Sequence, residues 1–400
     1  MNVVERILRY HKGRDPDRVA LKYQLIAASP AAFFRGTANL FYEDLAAAAQ
    51  IPMSPLAWIT GDAHLENFGV YKGDNRLVYF DFNDFDEATL APVLDEILRM
   101  LTSIYLTADG ALAERFLAEY AIELGEGKPR WVERATARGA VRNLVYSLKG
   151  RTRKQLLQRR TVLKGKTRQI RVDGEFALPL LPGDWERLQH FVRAFGDQIG
   201  RRAFFDLHSA ARRIAGNGSL GIGRFILLVE GKGSPDHNFL LDLKQARPSV
   251  IAGQSAWRTD AERIVTIQRR VQAIAPAFLH AVDLDGDSYV LRELVPGEDR
   301  VRLNLYAGQR DGLEQVVVTE ANVMAWAQLR ASGRQGSANA DELIAFGQDF
   351  SWHGAVLAYA RDYAERVKRD WGDFAKALAA GLLPQTKKLE KAAKGARPPR

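Results

Sequence analysis

The stretch from Gly61 to Glu87, GDAHLENFGVYKGDNRLVYFDFNDFDE, constrains this chain more than any other. Asp62 is followed five residues later by Asn67, and a β-hairpin can be read between Asn67 and Asp81. Phe68 to Tyr71 form one arm, Gly73-Asp74-Asn75 supply the turn, and Leu77 to Phe82 form the apolar second arm. A hairpin folds back on itself, so Asp81 is expected to return to within reach of Asn67. Asp62, Asn67 and Asp81 would then form an all-oxygen set suited to Mg²⁺ held partly by phosphate oxygens. His64 is expected to order the loop through hydrogen bonds. Asp84, Asp86 and Glu87 either support the metal site or cap the following helix.

Four hundred residues, 46% of them apolar, provide for more than one domain or one large two-lobed unit. The amino-terminal MNVVERILRYHKGRD has no uninterrupted apolar segment and reads as neither signal peptide nor membrane span. Nothing further along approaches the roughly 18 apolar residues that a spanning helix needs. The absence of cysteine excludes disulfides and thiolate metal sites. The formal charge is +9, with ten Lys or Arg and no acid from Lys149 to Arg171. Such a run is either a solvated face or a grip on an anionic partner such as nucleic acid, a lipid surface or an acidic substrate. It offers no aromatic platform for base stacking. The tail from Lys387 is expected to fray.

Residues 2–44 are mostly helical in pattern, with Ser29-Pro30 as a helix entry. Arg35 can reach either a phosphate or a downstream carboxylate. Leu56 to Ile59 is a short strand delivering Gly61-Asp62. Val93 to Ala108 has apolar residues at helical spacing, with Asp95 and Arg99 assigned to its other side. The region from Trp131 to Arg171 is expected to be helical, followed by a helix from Trp185 to Gly196.

Residues 216–223 read GNGSLGIG, in which Gly216, Gly218 and Gly221 satisfy G-x-G-x-x-G. A strand pattern follows at Arg224 to Glu230 and another at Asn238 to Lys244. The helical segment Ser255 to Ile274 carries Glu262, eighteen residues after Lys244. Leu279–Val282 and Tyr289–Leu294 are expected to form a second hairpin. Its acidic turn is not a calcium loop, because position six is Ser288 and position twelve is Leu294. Val295-Pro296-Gly297 then breaks the chain, and the remainder is helical.

GDAHLENFG and FDFNDFDEA resemble the catalytic loop and metal-binding segment of aminoglycoside phosphotransferases and choline-kinase-like enzymes. With SPAAFFRG and YVLREL they resemble more closely an uncharacterised bacterial domain-of-unknown-function family grouped with those kinases. The resemblance implies an α+β, two-lobed protein-kinase-like fold with additional helices. It makes Asp62 the base, Asn67 and Asp81 the Mg²⁺ ligands, and Lys244 and Glu262 the pair that positions ATP phosphates under the glycine loop. Because the catalytic loop precedes the glycine loop, the fold would be circularly permuted. Thr60 departs from the histidine that kinases carry two residues before the catalytic Asp.

The expected organisation is a catalytic and metal-site segment over 1–130, a basic helical connector over 131–210 and a glycine-loop, β-rich segment over 211–300. A helical completion over 301–386 and a basic tail over 387–400 follow. The expected activity is ATP- and Mg²⁺-dependent phosphoryl transfer to a hydroxyl of a small-molecule acceptor, in the cytoplasm because the enzyme uses ATP. Nucleotidyl transfer, a nucleotide-sensing pseudokinase, a basic nucleic-acid or anion-binding protein and a metal-dependent phosphoesterase are the alternatives.

Overall fold

Strands Arg224–Val229, RFILLV, and Phe239–Gln245, FLLDLKQ, carry the near-continuous apolar runs of a sheet covered on both faces. They pair antiparallel, with Arg224 opposite Lys244 and Ile226 opposite Asp242. They lie at the centre of a six-stranded sheet completed by Ala177–Leu178, Leu207–Arg213, His280–Leu284 and Asp287–Glu293. Leu227, Leu241 and Leu291 pack on one face against Leu188, Phe191 and Phe195 of helix Asp184–Gln198. Ile226, Leu228 and Leu240 pack on the other against Leu156 and Leu157 of helix Arg153–Arg160. Alternation along the strands puts Arg213, Arg224, Asp242, Lys244 and Arg292 on this second face too. One end of that face is apolar and the other charged.

The computed structural model describes residues 2–48, 50–148, 151–214, 221–251, 257–294, 299–306 and 308–384. Gly216, Gly218 and the break at Val295-Pro296-Gly297 lie outside the described residues. Within them the chain is a mixed arrangement of 13 α-helices and antiparallel sheets. The larger core surrounds the hairpin Phe68–Lys72 and Val78–Phe82, whose Phe68, Phe80 and Phe82 are buried with residues of helices Val93–Thr107, Gly110–Glu126 and Arg310–Ala331. Four amino-terminal helices, Val3–His11, Pro16–Ile26, Pro30–Gly36 and Ala38–Ala46, complete one side. Ser29 caps the third, its hydroxyl accepting from the Ala32 N–H at 3.1 Å. Strand Asp299–Arg300 pairs with the edge of the hairpin, Arg300 opposite Gly69.

The structure corrects the helical expectation for the basic run. Arg153–Arg160 is a helix, but Thr161–Lys164 and Thr167–Ile170 form a hairpin turning at Gly165, whose φ is +61°. Thr161, Val162 and Thr167 are β-branched, a local preference that the density of charge obscured. Strands Leu207–Arg213 and Thr89–Pro92 also had no clear signal in the sequence. The second of these pairs with Leu56–Ile59.

Candidate functional site

The loop from Thr60 to Asn67 is held from beneath by helix Val93–Thr107. Glu96 is buried and accepts from the Thr60 N–H at 2.7 Å and its hydroxyl at 2.5 Å. Gly61 has φ +75°, and a Cβ there would lie 2.3 Å from the Glu87 carbonyl oxygen. Only glycine allows this approach, which brings the two ends of the motif together. His64 Nδ1 accepts from the Glu66 N–H at 3.1 Å, the loop-ordering role expected of it. Burial, followed by the nearby arginines, keeps the imidazole far below its usual pKa and hence neutral.

Asp62 is gripped through Oδ1 by Arg99, at 2.7 Å from Nε and 2.5 Å from Nη2. Arg99 is fully buried, donates to the Phe34 carbonyl and lies 4.3 Å from the centre of the Phe34 ring. It therefore faces the loop from inside the core, not from the helix's outer side. Burial raises the Asp62 carboxyl and pairing with Arg99 opposes the rise. Asn67 donates through Nδ2 to the Asp62 carbonyl at 2.9 Å, and its own carbonyl accepts from Asn83 at 2.9 Å. The hairpin closes as expected, but it returns Asn83 to Asn67.

Asp81 points elsewhere. It is 2% exposed, with Oδ1 accepting from the Phe82 N–H at 2.9 Å and Oδ2 from the Ala273 N–H at 3.1 Å. Arg330 of helix Arg310–Ala331 pairs with it at 3.2 Å. These partners occupy the carboxylate in the interior. The acids that meet the sheet are Asp84 and Asp86, which both approach the Lys244 ammonium, Asp84 at 3.7 Å. Burial and the Asp84 charge raise Asp86 despite Lys244, whereas Lys244 holds Asp84 below its usual value against the effect of burial. Two like charges thus share one cation. Neither acid caps the next helix, whose N-cap is Pro92 without a side-chain bond. Glu87 accepts from the Val250 N–H at 2.6 Å, and burial raises its carboxyl to about 7.

Two cavities meet at this wall. The first, about 360 Å³, is lined by Asp62, Arg14, Lys22 and Arg247. The second, about 340 Å³, is lined by Asn67, Lys244, Arg213, Arg224 and Arg292. Asp84 and Asp86 line both, whereas Asp81 lines neither. Beneath the second cavity, Asp242 is fully buried and meets Arg213 at 2.7 Å, Arg224 at 2.6 Å and Arg292 at 3.4 Å. Burial alone would raise this carboxyl, but the three guanidinium groups hold it far below the usual range.

Glu262 does not pair with Lys244. It lies in the first turn of helix Asp260–Val271 and pairs with Arg258 at 3.4 Å, while Ile264 and Gln268 of that helix line the second cavity. Gly221, with φ +97°, packs beside Arg14. Arg35 pairs with Glu66. Part of the basic run is used in folding. Arg153 pairs with Glu293 and lies over the Phe239 ring, while Lys154 and Arg168 share Asp236. Arg159, Lys164, Lys166 and Arg171 remain exposed.

Arg263, Arg330 and the Asp242 network were not singled out from the sequence, and Arg99 was assigned to the outer side of its helix. Arg263 binds the carbonyls of Asp86, Ala88 and Arg247, tying the acidic loop to the sheet. A signal for two of them was present. Asp242 sits within FLLDLK and Arg99 within ILRML, and a charge set in an apolar run signals a buried ion pair.

The residues around Asp84 and Asp86 fit Mg²⁺. Two carboxylates and an amide oxygen are hard donors. Among the described residues no three His, Asp or Glu side chains form a closed metal shell, so phosphate and water would complete the coordination, the usual arrangement for Mg²⁺. Among the described residues no helix is long and apolar enough to cross a membrane.

The chain belongs to the family described as uncharacterized protein conserved in bacteria (DUF2252), whose model matches residues 14–377. No curated protein and no solved structure matches the chain.

Proposed function

We propose that this member of a bacterial family of uncharacterised proteins is an ATP- and Mg²⁺-dependent phosphotransferase acting on a hydroxyl of a small acceptor. One observation carries the reading: the wall of Asp84 and Asp86 separates a cavity lined by Asp62 from one lined by Lys244 and Asn67. Donor phosphates belong with the lysine, and a base for the acceptor belongs on the far side of the transferring group. A kinase-like, circularly permuted fold is part of the proposal. It is supported by the strand lysine, the helix Asp260–Val271 that follows it, and the pairing of Arg300 with Gly69 at the edge of the catalytic hairpin.

In this reading an acceptor hydroxyl oxygen bonds to the γ-phosphorus of ATP as its proton passes to Asp62. The bond from the γ-phosphorus to the bridging oxygen breaks, and its electron pair leaves with ADP. Arg99 occupies Oδ1 of Asp62, and Oδ2 has no partner among the described residues. Because Asn67 spends its Nδ2 on the loop, its Oδ1 is the atom it can offer a cation. Asp84, Asp86 and Asn67 would hold Mg²⁺, which would neutralise phosphate charge. Lys244 moves the metal assignment away from Asp81, since its ammonium is drawn to Asp84 and Asp86.

The test is thermal stability with ATP, with and without Mg²⁺, together with ADP release. Mg²⁺-dependent stabilisation should be present in the wild type and lost in Asp84→Asn and Lys244→Met. Asp62→Asn should keep the stabilisation and lose turnover by about 10²–10⁴-fold, the usual worth of a general base. Unchanged turnover in Asp84→Asn would sink the reading.

A further inference from the structure

We propose that Arg263 is a positioning residue for the Mg²⁺ site: it fixes the loop carrying Asp84 and Asp86 against the strand carrying Lys244, and thereby sets how tightly the metal is held. The inference rests on the reading of those two acids as metal ligands and names what keeps them in place. The loop from Asn83 to Ala88 runs between strands Val78–Phe82 and Thr89–Pro92 and belongs to neither. Its successive carbonyls at Asp86, Glu87 and Ala88 are held by residues that follow Lys244 in the chain. Arg263 donates to Asp86 at 3.0 Å and to Ala88 at 2.5 Å, and the Ser249 hydroxyl donates to Glu87 at 2.9 Å. The same guanidinium donates to the Arg247 carbonyl at 2.7 Å, just beyond the end of the Lys244 strand.

Arg263 is 5% exposed, and Asp260 lies 3.3 Å from its Nε. It grips the loop by backbone oxygens and leaves the Asp84 and Asp86 carboxylates to Lys244. The loop is thus ordered without spending the side-chain oxygens that would meet a cation. Asp84 and Asp86 carry like charges and repel one another, so a loop free to move would part them. Restraint of the backbone keeps both within reach of one ion, and ligands held in place bind more tightly than ligands that must be gathered. The forked guanidinium reaches carbonyls on two segments at once, which the single nitrogen of a lysine cannot span.

The test follows stabilisation by ATP as Mg²⁺ is titrated, and Mn²⁺ binding by electron paramagnetic resonance, on the full chain. In Arg263→Lys the Mg²⁺ concentration for half-maximal stabilisation should rise about 10–100-fold, as for residues that orient metal ligands. Ser249→Ala removes one hydroxyl and should raise it about two- to tenfold, the worth of a single hydrogen bond. Arg330→Lys is the control, since Arg330 also donates to backbone carbonyls, those of Val271 and Arg130, but meets Asp81. It should lower the urea midpoint and leave the Mg²⁺ requirement within about twofold, as for sites without shared partners. Unchanged Mg²⁺ dependence in both Arg263→Lys and Ser249→Ala overturns the proposal and leaves the transfer reading intact, and so does an equal shift in Arg330→Lys. If Arg263→Lys does not fold, Ser249→Ala decides alone. Wild-type protein that ignores Mg²⁺ and ATP, yet binds Mn²⁺ less tightly after either substitution in the loop's support, would uphold the positioning role and remove the transfer reading. Wild-type protein that binds neither overturns both.

Discussion

The two cavities on either side of Asp84 and Asp86 have similar size and are both rich in arginine and lysine, yet their charges do different work. In the second, Asp242 draws Arg213, Arg224 and Arg292 into one buried network. In the first, Lys12, Arg14 and Arg247 face the cavity without a carboxylate partner among the described residues. A cation held by a buried acid is part of the framework, and its removal is felt first as instability. One without such an acid can give its charge to a ligand. Counting basic residues would therefore not tell the cavities apart, and only their pairing does.

The sharpest way to break this comparison is Asp242→Ala. It leaves three guanidinium groups packed together without their anion and should cost about 3–5 kcal/mol in urea unfolding. A loss too small to measure would mean that the network is not structural.

Asp81→Asn should cost about 2–3 kcal/mol through the weakened pair with Arg330, while Mg²⁺-dependent stabilisation by ATP survives. If the variant instead keeps its stability and loses the nucleotide effect, the metal assignment returns to Asp81.

The smallest effect concerns Lys22 and sharpens the picture of the first cavity. Burial lowers its ammonium to about 7 from 10.5. Between these values the unfolded chain holds a proton that the folded chain has released, so stability rises with pH across the window. Below about 7 both states are charged and the full cost of burial is present. Lys22→Met should flatten the rise and add about 1–2 kcal/mol at neutral pH, as read by denaturation between pH 7 and pH 10. An undiminished slope in that variant would place the titration in another group.

Much of the architecture was legible from local pattern. The apolar alternation of the hairpin, the strand pair around Lys244 and the helix at Val93 all appear near their expected places. The closeness of Asp62 and Asn67 was legible too, because they are near in sequence and bond directly, whereas the hold of Glu96 and Arg99 on their loop comes from a later helix. The hairpin within the basic run was not, since its charges masked a weak β preference. Glu262 was expected beside Lys244 from chain distance, but its position in the helix turns it toward Arg258.

Asp81 and Asp84 mark the boundary between the two kinds of information. The sequence alone determined that an acid-rich segment follows a tight hairpin and that a lysine ends a distant apolar strand. It could not decide which acid meets that lysine. Asp81 lies on the strand in register with Gly69 and is captured by Arg330, 249 residues away in the chain. Asp84 lies just beyond the strand, where the chain leaves the ladder and turns toward Lys244. Spacing along a chain fixes which residues are neighbours on one element. Which charge is neutralised in the core and which is left at a cavity depends on partners brought in by packing, and for this protein the tertiary structure alone supplied them.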